Sequence, residues 1–507
     1  MKGATWVTVL VVLGLVAAAQ ADESIVYTQA GPLRGVGVPF AEPPVGPLRF
    51  TPPLPKRPWG NSPYNATAYG AGCPQQCVLP PHLCPETQSE DCLFLNIWTP
   101  RVKTGQAPLP VMFFMPGGRF EQGEAASLVY SGEYMASSAD VILVTTNYRL
   151  GVLGFLVADG IPGNFGIKDQ RLALEWVIKN IAAFGGNPKN ITIFGESAGA
   201  TSVAVHLVSQ YSQGLYSKAI IESNPFSLPI KTIPEAKALA KLFVDKIQCP
   251  WGQDTLSCLR GKNWHDIVGA GAAVENSSIG DELLGQPWNL ILSGKFNRVP
   301  LLLGTVSEEA WPFIFQASSK PLSESLYVLF NAYLFNIDMV SVLRRYPVGG
   351  VWDYSDYRPL LAELGTDYIF TCLTRGVARK ISSLGSFVYR ASVYLYQFNH
   401  STSFDPWGSK YKFFCHGIEL PFVFHSVKPF FNFSAGEADL SRRMVSYWTN
   451  FAKSGNPNAP VAVQPSWPLY SQAADQSMEL AVPPTVKTGL RAAYCDFWDN
   501  LGYSFGN

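Results

Sequence analysis

The segment Ile191-Thr192-Ile193-Phe194-Gly195-Glu196-Ser197-Ala198-Gly199 decides the fold of this 507-residue chain. Its first four residues are β-branched or aromatic and predict a buried strand, and the apolar residues at 203–207 predict a helix. A Gly-x-Ser-x-Gly sequence between a strand and a helix is typical of a nucleophile elbow, a turn so tight that side chains at the two glycines would clash. We therefore predict that Ser197 is a catalytic nucleophile, rather than an ordinary serine in a Gly-rich turn.

Strand and helix patterns alternate on both sides of this turn. Buried strands are predicted at 111–115, 141–145, 218–222 and 299–304, with an amphipathic helix at 170–184. The remaining predictions are a β-meander over 22–60, a helical region over about 320–400, and strands at 387–389 and 394–396. Such alternation predicts an α/β fold with a large, mostly parallel sheet, helices on both faces, and its chemistry at the carboxyl ends of the strands.

The charge of the chain restricts its partners. Its formal net charge is zero, and only 15% of its residues are charged. No basic run is present that would bind an anionic membrane surface, and the balance of charge argues against a nucleic acid partner. We therefore expect a small-molecule substrate.

The N-terminal residues 1–21 are predicted to be a signal peptide. Lys2 provides the positive charge, residues 6–19 form a short apolar core, and Ala19-Gln20-Ala21 is a small-x-small cleavage site. The apolar core is short for a membrane anchor, and we expect no later segment to span a bilayer. Residues 22–507 are therefore predicted to form one secreted domain, located outside the cell or in the lumen of the secretory pathway.

The cysteines and glycosylation sequons fit the same compartment. Nine cysteines suit an oxidising environment, and the odd number leaves at least one outside an intrachain disulfide. Their spacing has no metal-binding pattern, so we expect no metal. Five Asn-x-Ser/Thr sequons are candidates for glycosylation, at Asn65, Asn190, Asn276, Asn399 and Asn432.

A serine nucleophile needs a base and an acid that orients the base. Among six histidines, His416 lies in a loop beside a glycine, late in the chain, whereas His425 is a competitor that reads more readily as a buried structural residue. Glu308 and Glu309 both follow the predicted strand at 299–304, and only one of them can point inward. The order Ser, acid, His along the chain is that of α/β-hydrolases.

An oxyanion hole is predicted opposite the elbow. The strand at 111–115 ends in Pro116-Gly117-Gly118-Arg119-Phe120, a Gly-rich loop. The backbone N–H groups of Gly118 and Arg119 would join that of Ala198 to form a three-donor site for developing negative charge.

Several segments in order resemble the type-B carboxylesterase and cholinesterase family over nearly the whole mature chain. They are Ser89-Glu90-Asp91-Cys92-Leu93-Phe94-Leu95-Asn96, Gly163-Asn164-Phe165-Gly166-Ile167-Lys168-Asp169-Gln170, and Phe184-Gly185-Gly186-Asn187-Pro188 leading into the elbow. The resemblance implies an α/β-hydrolase fold, with Glu309 rather than Glu308 as the acid and His416 as the base. It also implies the disulfides Cys73–Cys92, Cys249–Cys258 and Cys372–Cys495. Cys77 and Cys84 could then pair with each other, and Cys415 would remain as the ninth cysteine, outside these bridges.

The chain departs from the family pattern around the predicted pocket. Pro116 replaces a histidine or aromatic residue, Arg119 replaces the third glycine of the oxyanion loop, and His82 occupies the position of the choline-binding tryptophan. Without that tryptophan the cation–π platform for a quaternary ammonium group is missing. We therefore expect an esterase that is not an acetylcholinesterase.

The resemblance implies two-step hydrolysis of carboxylic esters without a metal or organic cofactor. A non-catalytic adhesion or storage protein on the same fold is the alternative from another class, and an interfacial lipase is the alternative among enzymes. The apolar residues 78–83 could cover the site of a lipase, but a Cys77–Cys84 bridge would restrain them and favour soluble or short-chain esters. Leu228, Ile230 and Trp311 are candidates to line the pocket, with core packing as the simpler role.

Overall fold

The computed structural model describes residues 25–26, 33–60, 63–79, 83–101, 105–271, 282–349, 355–384, 391–404, 415–426 and 432–503. The predicted signal peptide, the predicted strand at 387–389, His82 and Asn276 lie outside these ranges.

A ten-stranded sheet dominates the described residues. The strands are β1 (Ile25–Val26), β2 (Leu33–Pro39), β3 (Tyr64–Asn65), β4 (Phe94–Thr99), β5 (Leu109–Met115), β6 (Ile142–Thr146), β7 (Gly186–Glu196), β8 (Lys218–Glu222), β9 (Leu301–Val306), β10 (Val393–Phe398), β11 (Gln476–Leu480) and β12 (Thr485–Thr488). Their order in the large sheet is β12-β11-β10-β9-β8-β7-β5-β6-β4-β2, and β1 pairs with β3 separately. Neighbours from β6 to β11 are parallel, whereas β2, β4 and β12 pair antiparallel at the two edges.

Helices cover both faces of this sheet. The α-helices are α1 (Glu133–Ser138), α2 (Gly151–Phe155), α3 (Phe165–Asn180), α4 (Ala198–Val208), α5 (Ile233–Lys246), α6 (Thr255–Gly261), α7 (Trp264–Ala270), α8 (Pro287–Leu292), α9 (Trp311–Ala317), α10 (Glu324–Phe335), α11 (Met339–Arg345), α12 (Arg358–Gly365), α13 (Cys372–Ser383), α14 (Leu420–Phe424), α15 (Ala435–Ser454) and α16 (Ala492–Leu501). A π-helical segment, Thr366–Thr371, joins α12 to α13. Short 3-10 helices lie at Gly46–Leu48, Leu128–Tyr130, Ile181–Phe184, Gln210–Ser212 and Asn336–Asp338.

The sheet is buried on both faces. Every residue of β5, β6, β8 and β9 is buried, as expected for parallel strands covered by helices on each side. Along β5, Val111 and Phe113 pack into one apolar cluster with α3 and α4, and Met112 and Phe114 pack into a second with α14 and α15. The predicted fold class, a mostly parallel sheet flanked by helices, is confirmed.

The predicted elements agree with the structure except near the N-terminus. The strands predicted before and after the elbow correspond to β5, β6, β8, β9 and β10, and the helical region corresponds to α10 through α13. In the predicted β-meander, the described part of 22–60 contains β1 and β2, and the partner of β2 is β4, outside that range. Prolines at 43, 44, 52, 53 and 55 leave few backbone N–H donors for a further strand between them.

One helical stretch, Glu324–Arg345, is long and apolar enough to cross a membrane by length and composition alone. We expected no segment after the signal peptide to be apolar enough to span a bilayer, and by composition this stretch is an exception. The stretch is divided at Asn336, whose φ is 45°, and Tyr327, Asn331 and Phe335 of α10 are buried against the rest of the fold.

Four disulfides join the pairs that the sequence suggested. They are Cys73–Cys92, Cys77–Cys84, Cys249–Cys258 and Cys372–Cys495. The ninth cysteine, Cys415, is buried and lies outside these bridges. The odd cysteine count is therefore explained by four bridges and one thiol.

The candidate glycosylation sites differ in accessibility. Asn65 and Asn432 are exposed. By contrast, the side-chain nitrogens of Asn190 and Asn399 donate hydrogen bonds to Lys453 O at 3.4 Å and to Glu479 Oε1 at 3.0 Å. Asn65 and Asn432 are therefore the described sequons best presented for modification.

Candidate active site

Ser197 occupies a strained turn between β7 and α4. Its backbone has φ 58° and ψ −123°, a conformation that residues other than glycine rarely adopt. A Cβ at Gly199 would lie 1.9 Å from the carbonyl oxygen of Met115, and one at Gly195 would lie 2.6 Å from the backbone of Gly199. The two glycines therefore allow β7, β5 and α4 to approach closely enough to form the turn.

The carboxyl end of β9 brings Glu309 to His416. The backbone of Glu308 forms a β-bridge with that of Cys415, which holds the two loops side by side. Glu309 is fully buried, its Oε1 accepts a hydrogen bond from Val306 N–H at 2.8 Å, and its Oε2 lies 2.6 Å from His416 Nδ1. This contact favours the tautomer with the proton on Nδ1 and directs Nε2 away from Glu309.

A second carboxylate faces the other ring nitrogen of His416. Nε2 lies 3.1 Å from Glu196 Oε1, and it has no hydrogen-bond partner among the described residues. Burial by itself lowers the pKa of His416, but the negative charges of Glu196 and Glu309 outweigh it and raise the pKa to about 9. Burial also raises the pKa of Glu196 to about 7. In this geometry the imidazole is therefore held protonated at neutral pH.

The predicted oxyanion loop lies directly against the elbow. A Cβ at Gly117 would be 2.7 Å from Glu196 O and 3.0 Å from Ser197 Cβ, so glycine is required at this approach. The loop is anchored by Tyr148, whose hydroxyl donates to Pro116 O at 2.7 Å.

Three consecutive residues of that loop have left-handed backbones. The φ angles of Gly118, Arg119 and Phe120 are 111°, 62° and 62°. Gly118 O accepts hydrogen bonds from the N–H groups of both Glu121 and Gln122 at 3.0 Å, which closes the turn. Arg119 therefore has a backbone conformation that a glycine would adopt more easily.

Ser197 and His416 open into one cavity of about 340 Å³. Its lining is mainly apolar at one side, with the oxyanion loop and the elbow at the other. The lining residues are Val78, Leu79, Leu83, Gly117, Gly118, Arg119, Gln122, Tyr130, Glu196, Ser197, Pro312, Phe313, Gln316, Cys415, His416, Gly417 and Leu420. Within the described ranges, no group of three or more His, Cys, Asp or Glu side chains is arranged to hold a metal ion.

Comparison with known proteins places this arrangement in a family. The model of the carboxylesterase family matches residues 35–498. The chain belongs to the carboxylesterase family. It is 36% identical to the cAMP-regulated D2 protein of Dictyostelium discoideum over 92% of this chain and 90% of that protein. It is 33% identical to an acetylcholinesterase of Bungarus fasciatus over 95% of this chain and 87% of that enzyme. Membership supports ester hydrolysis as the general activity.

Two segments that suggested the carboxylesterase family contain buried ion pairs with structural roles. Glu90 accepts hydrogen bonds from Arg49, with Nε to Oε1 at 2.6 Å. Asp169 accepts from the guanidinium of Arg149 at 2.7 and 2.8 Å, and both partners are buried. Removing one partner of such a buried pair would leave an uncompensated charge, at a cost of about 3–5 kcal/mol. These acidic residues therefore stabilise the fold, and Arg49, Glu90 and Arg149 line a small cavity separate from the one at Ser197.

The candidate pocket residues need correction. Leu228 and Ile230 line a separate small cavity beside Trp288. Trp311 does not line the cavity at Ser197, although the next two residues, Pro312 and Phe313, do. The reason is that α9 begins at Trp311, so successive side chains point in different directions around the helix.

Glu196 is the most important site residue that the sequence analysis did not single out. A signal was present, because an acidic residue stood next to the nucleophile inside an apolar strand. Two further buried carboxyls lie behind the site: Ser223 donates to Glu419 at 3.3 Å, and Trp448 Nε1 donates to Glu222 at 2.7 Å. Burial raises the pKa of Glu222 to about 8 and that of Glu419 well above its ordinary value.

The competitor His425, and His206 on the helix after the elbow, have other contacts. His206 is buried on α4, and its Nδ1 lies 2.8 Å from Ser212 Oγ. His425 contacts Ser441 Oγ through Nδ1 at 2.7 Å and stacks on Tyr134. Both histidines therefore have contacts that suit a structural role, away from Ser197.

Proposed function

We propose that this carboxylesterase cleaves carboxylic esters through an acyl-enzyme on Ser197. The single observation that carries the proposal is the 2.6 Å contact between His416 Nδ1 and Oε2 of the buried Glu309. His416 and Ser197 line the same cavity. A buried carboxylate that fixes an imidazole next to an elbow serine is the arrangement that acyl transfer requires.

His416 acts as the base, and its two ring nitrogens have different tasks. Glu309 keeps a proton on Nδ1 and stabilises the imidazolium that forms during the reaction. Nε2 accepts the proton of Ser197 as Oγ attacks the ester carbonyl carbon. Because Nε2 faces Glu196 in the structure, the imidazolium first releases its Nε2 proton to solvent water, keeps its Nδ1 proton, and turns from Glu196 towards Ser197.

The oxyanion forms between the two walls of the cavity. Backbone N–H groups of Gly118, Arg119 and Ala198 donate to the carbonyl oxygen as it gains charge, and the N-terminus of α4 adds a favourable dipole. The protonated His416 then gives its proton to the departing alcohol. Water attacks the acyl-enzyme by the same route in reverse, releasing the acid and restoring Ser197.

The proposal is tested by hydrolysis of p-nitrophenyl butyrate. We expect Ser197→Ala to lower kcat by about 10⁴-fold or more. Ser137→Ala, which removes an exposed hydroxyl, is the matched control and should retain wild-type kcat. Equal rates for Ser197→Ala and the wild type would refute the nucleophile, and absence of hydrolysis in the wild type would favour an adhesion or storage role.

An interfacial lipase is less well supported than an esterase of soluble or short-chain esters. Val78, Leu79 and Leu83 line the cavity, as a covering loop would. The Cys77–Cys84 bridge closes that loop on itself, which restricts the opening that interfacial activation requires. A jump in rate once the substrate exceeds its solubility would reverse this preference.

We further propose that residues 22–507 form one domain of a secreted glycoprotein. Four disulfides suit an oxidising compartment, and Asn65 and Asn432 are exposed sequons. Choline esters are disfavoured as substrates because, in the sequence, His82 occupies the position at which choline-binding members of the family carry a tryptophan.

A further inference from the structure

The oxyanion loop is held by side chains at its start and at its end. At its start, the hydroxyl of Tyr148 donates to Pro116 O at 2.7 Å. At its end, the side chains of Gln75 and Gln122 join the loop to residues 73–79, which we call the 73–79 segment. The loop that carries two of the three proposed oxyanion donors is therefore restrained from both ends.

Gln122 makes one contact with its side chain and another with its backbone. Its Oε1 accepts a hydrogen bond from Val78 N–H at 2.8 Å, and its own N–H donates to Gly118 O at 3.0 Å. A Cβ at Gly118 would lie 2.1 Å from Gln122 O, so the two backbones are in close contact. Gln122 is buried and lines the cavity at Ser197. A shift of Val78 would thus reach Gly118 through a single residue.

Gln75 holds the next residue of the loop from the same segment. Its Oε1 accepts a hydrogen bond from Gly123 N–H at 2.7 Å, and its Nε2 donates to Gly123 O at 3.0 Å. Nε2 also donates to Cys73 O at 3.0 Å, and Gln75 is buried. Gln75 and Gln122 therefore make the positions of two adjacent loop residues depend on the 73–79 segment.

The 73–79 segment is itself fixed by covalent bonds. The disulfide Cys73–Cys92 holds its first residue, and the disulfide Cys77–Cys84 lies next to Val78. The side chain of Val78 is 69% exposed, so its apolar packing contributes little to this junction. Because the segment is cross-linked, the hydrogen bond from Val78 N–H to Gln122 restrains the oxyanion loop more than it restrains the segment.

We propose that Gln122 is a positioning residue for the ester hydrolysis proposed above. By holding the oxyanion loop against the 73–79 segment, it places the N–H groups of Gly118 and Arg119 where the oxyanion forms. This inference rests on the proposed function and adds a residue outside the triad and the oxyanion donors. Preorganised donors act only on the charge of the transition state, so a displaced loop lowers kcat more than it weakens substrate binding.

The kinetic test uses Gln122→Met, which keeps the length of the side chain and removes the acceptor. With p-nitrophenyl butyrate we expect kcat to fall about tenfold and KM to change less than about twofold. Gln76→Met, the same change at an exposed glutamine of the 73–79 segment, is the matched control and should retain wild-type kcat. An unchanged kcat in Gln122→Met, or a loss carried by KM alone, would overturn the proposal.

A second variant removes the same hydrogen bond from its donor. Val78→Pro has no N–H at this position, whatever else the proline changes in the segment. Gln122→Met should therefore cause no further loss of kcat in a chain that already carries Val78→Pro. A further tenfold loss in the double variant would show that Gln122 acts without Val78, which contradicts the proposal.

A transition-state analogue reports on the oxyanion itself. Ser197 Oγ adds to the carbonyl carbon of butyl trifluoromethyl ketone, the hydroxyl proton passes to His416, and the carbonyl oxygen becomes a bound oxyanion. We expect Gln122→Met to raise the inhibition constant by about the same tenfold as it lowers kcat. Equal inhibition of the variant and the wild type would mean that Gln122 does not position the oxyanion donors.

Hydrogen exchange separates this proposal from the proposed function. Exchange of the backbone over residues 117–123, measured by mass spectrometry, requires neither substrate nor turnover. We expect Gln122→Met to accelerate it about fivefold and to leave β5 unchanged, because one hydrogen bond of the loop is lost. Unchanged exchange over 117–123 would overturn the proposal even in an active esterase. A wild type that hydrolyses no ester would overturn the proposed function, and accelerated exchange would still show that Gln122 positions the loop.

Discussion

The two walls of the cavity are built by opposite means. The elbow wall, Gly195–Gly199, is fixed by backbone contacts so close that an added methyl group at Gly199 would meet Met115 O at 1.9 Å. The oxyanion wall, Gly117–Gln122, is fixed by hydrogen bonds to Gly118 O and by Tyr148, and it accepts two residues other than glycine at positive φ.

This difference predicts how each wall responds to substitution. On the elbow wall, steric contact leaves no freedom, so the position and the geometry of Ser197 are set together. On the oxyanion wall, whose backbone N–H groups are the proposed oxyanion donors, two residues other than glycine are accommodated at positive φ. We therefore expect the proposed catalysis to be most sensitive to changes at the elbow and its partners, and the following predictions test that difference.

The largest effect is expected from Glu309→Gln. An amide would not stabilise the imidazolium and could reverse the tautomer of His416, so kcat should fall by about 10⁴-fold while the protein stays folded. Steady-state kinetics with p-nitrophenyl butyrate measures this. Glu308→Gln is the matched control, and a similar loss in that variant would show that the acid has been misassigned.

Gly199→Ala should damage the elbow wall next most severely. The new methyl group would overlap the backbone of β5, so we expect a loss of about 3 kcal/mol in the free energy of unfolding and about 100-fold in kcat from displacement of Ser197. Urea denaturation and kinetics check both. Gly261→Ala, where nothing lies within 4 Å of the new Cβ, should be nearly neutral; a mild effect at Gly199 would contradict the steric account.

Glu196→Gln should change the pH profile of kcat/KM. The raised pKa of His416, about 9, means that the imidazole keeps its proton until the pH rises through that value, and only the neutral form can act as base. We therefore expect kcat/KM to rise with pH around that value. Removing the charge of Glu196 should move this rising limb of the profile at least about one pH unit towards lower pH. Glu308→Gln serves again as control, and an unshifted limb in Glu196→Gln would show that Glu196 does not hold the imidazole.

Arg119→Gly should have the smallest effect on stability. Glycine relieves the left-handed backbone but gains freedom in the unfolded chain, so we expect the free energy of unfolding to rise by less than about 1 kcal/mol. Gly118→Ala provides the contrast, because its Cβ would lie 2.1 Å from Gln122 O and should destabilise the loop. Marked destabilisation by Arg119→Gly would mean that contacts of the arginine side chain stabilise the loop by more than its left-handed backbone costs.

The sequence predicted what depends on local sterics and strand order. The elbow glycines, the buried strands β5, β6, β8 and β9, and the position of Glu309 after a strand all follow from patterns within a few residues. The contact of His416 with Glu309 could be expected only as a consequence of topology and resemblance, since 107 positions separate them.

What the sequence could not supply depends on side-chain direction and on distant contacts. The placement of Glu196 against Nε2 of His416 follows from a loop more than 200 residues later in the chain. Pro312 and Phe313 line the cavity and Trp311 does not, because side chains of α9 point in different directions around the helix axis. The raised pKa values of Glu222 and Glu419 follow from their burial behind the elbow, which no local pattern in the sequence predicts.

Fluorophosphonate labelling tests the central claim, that Ser197 is a nucleophile activated by His416, most directly. The account predicts stoichiometric phosphonylation of the wild type at Ser197, located by peptide mass spectrometry, with a rate that rises as the pH passes the pKa of His416. Labelling should be lost in both Ser197→Ala and His416→Ala. Folded wild-type protein that fails to react, or that reacts at another residue, would contradict the account.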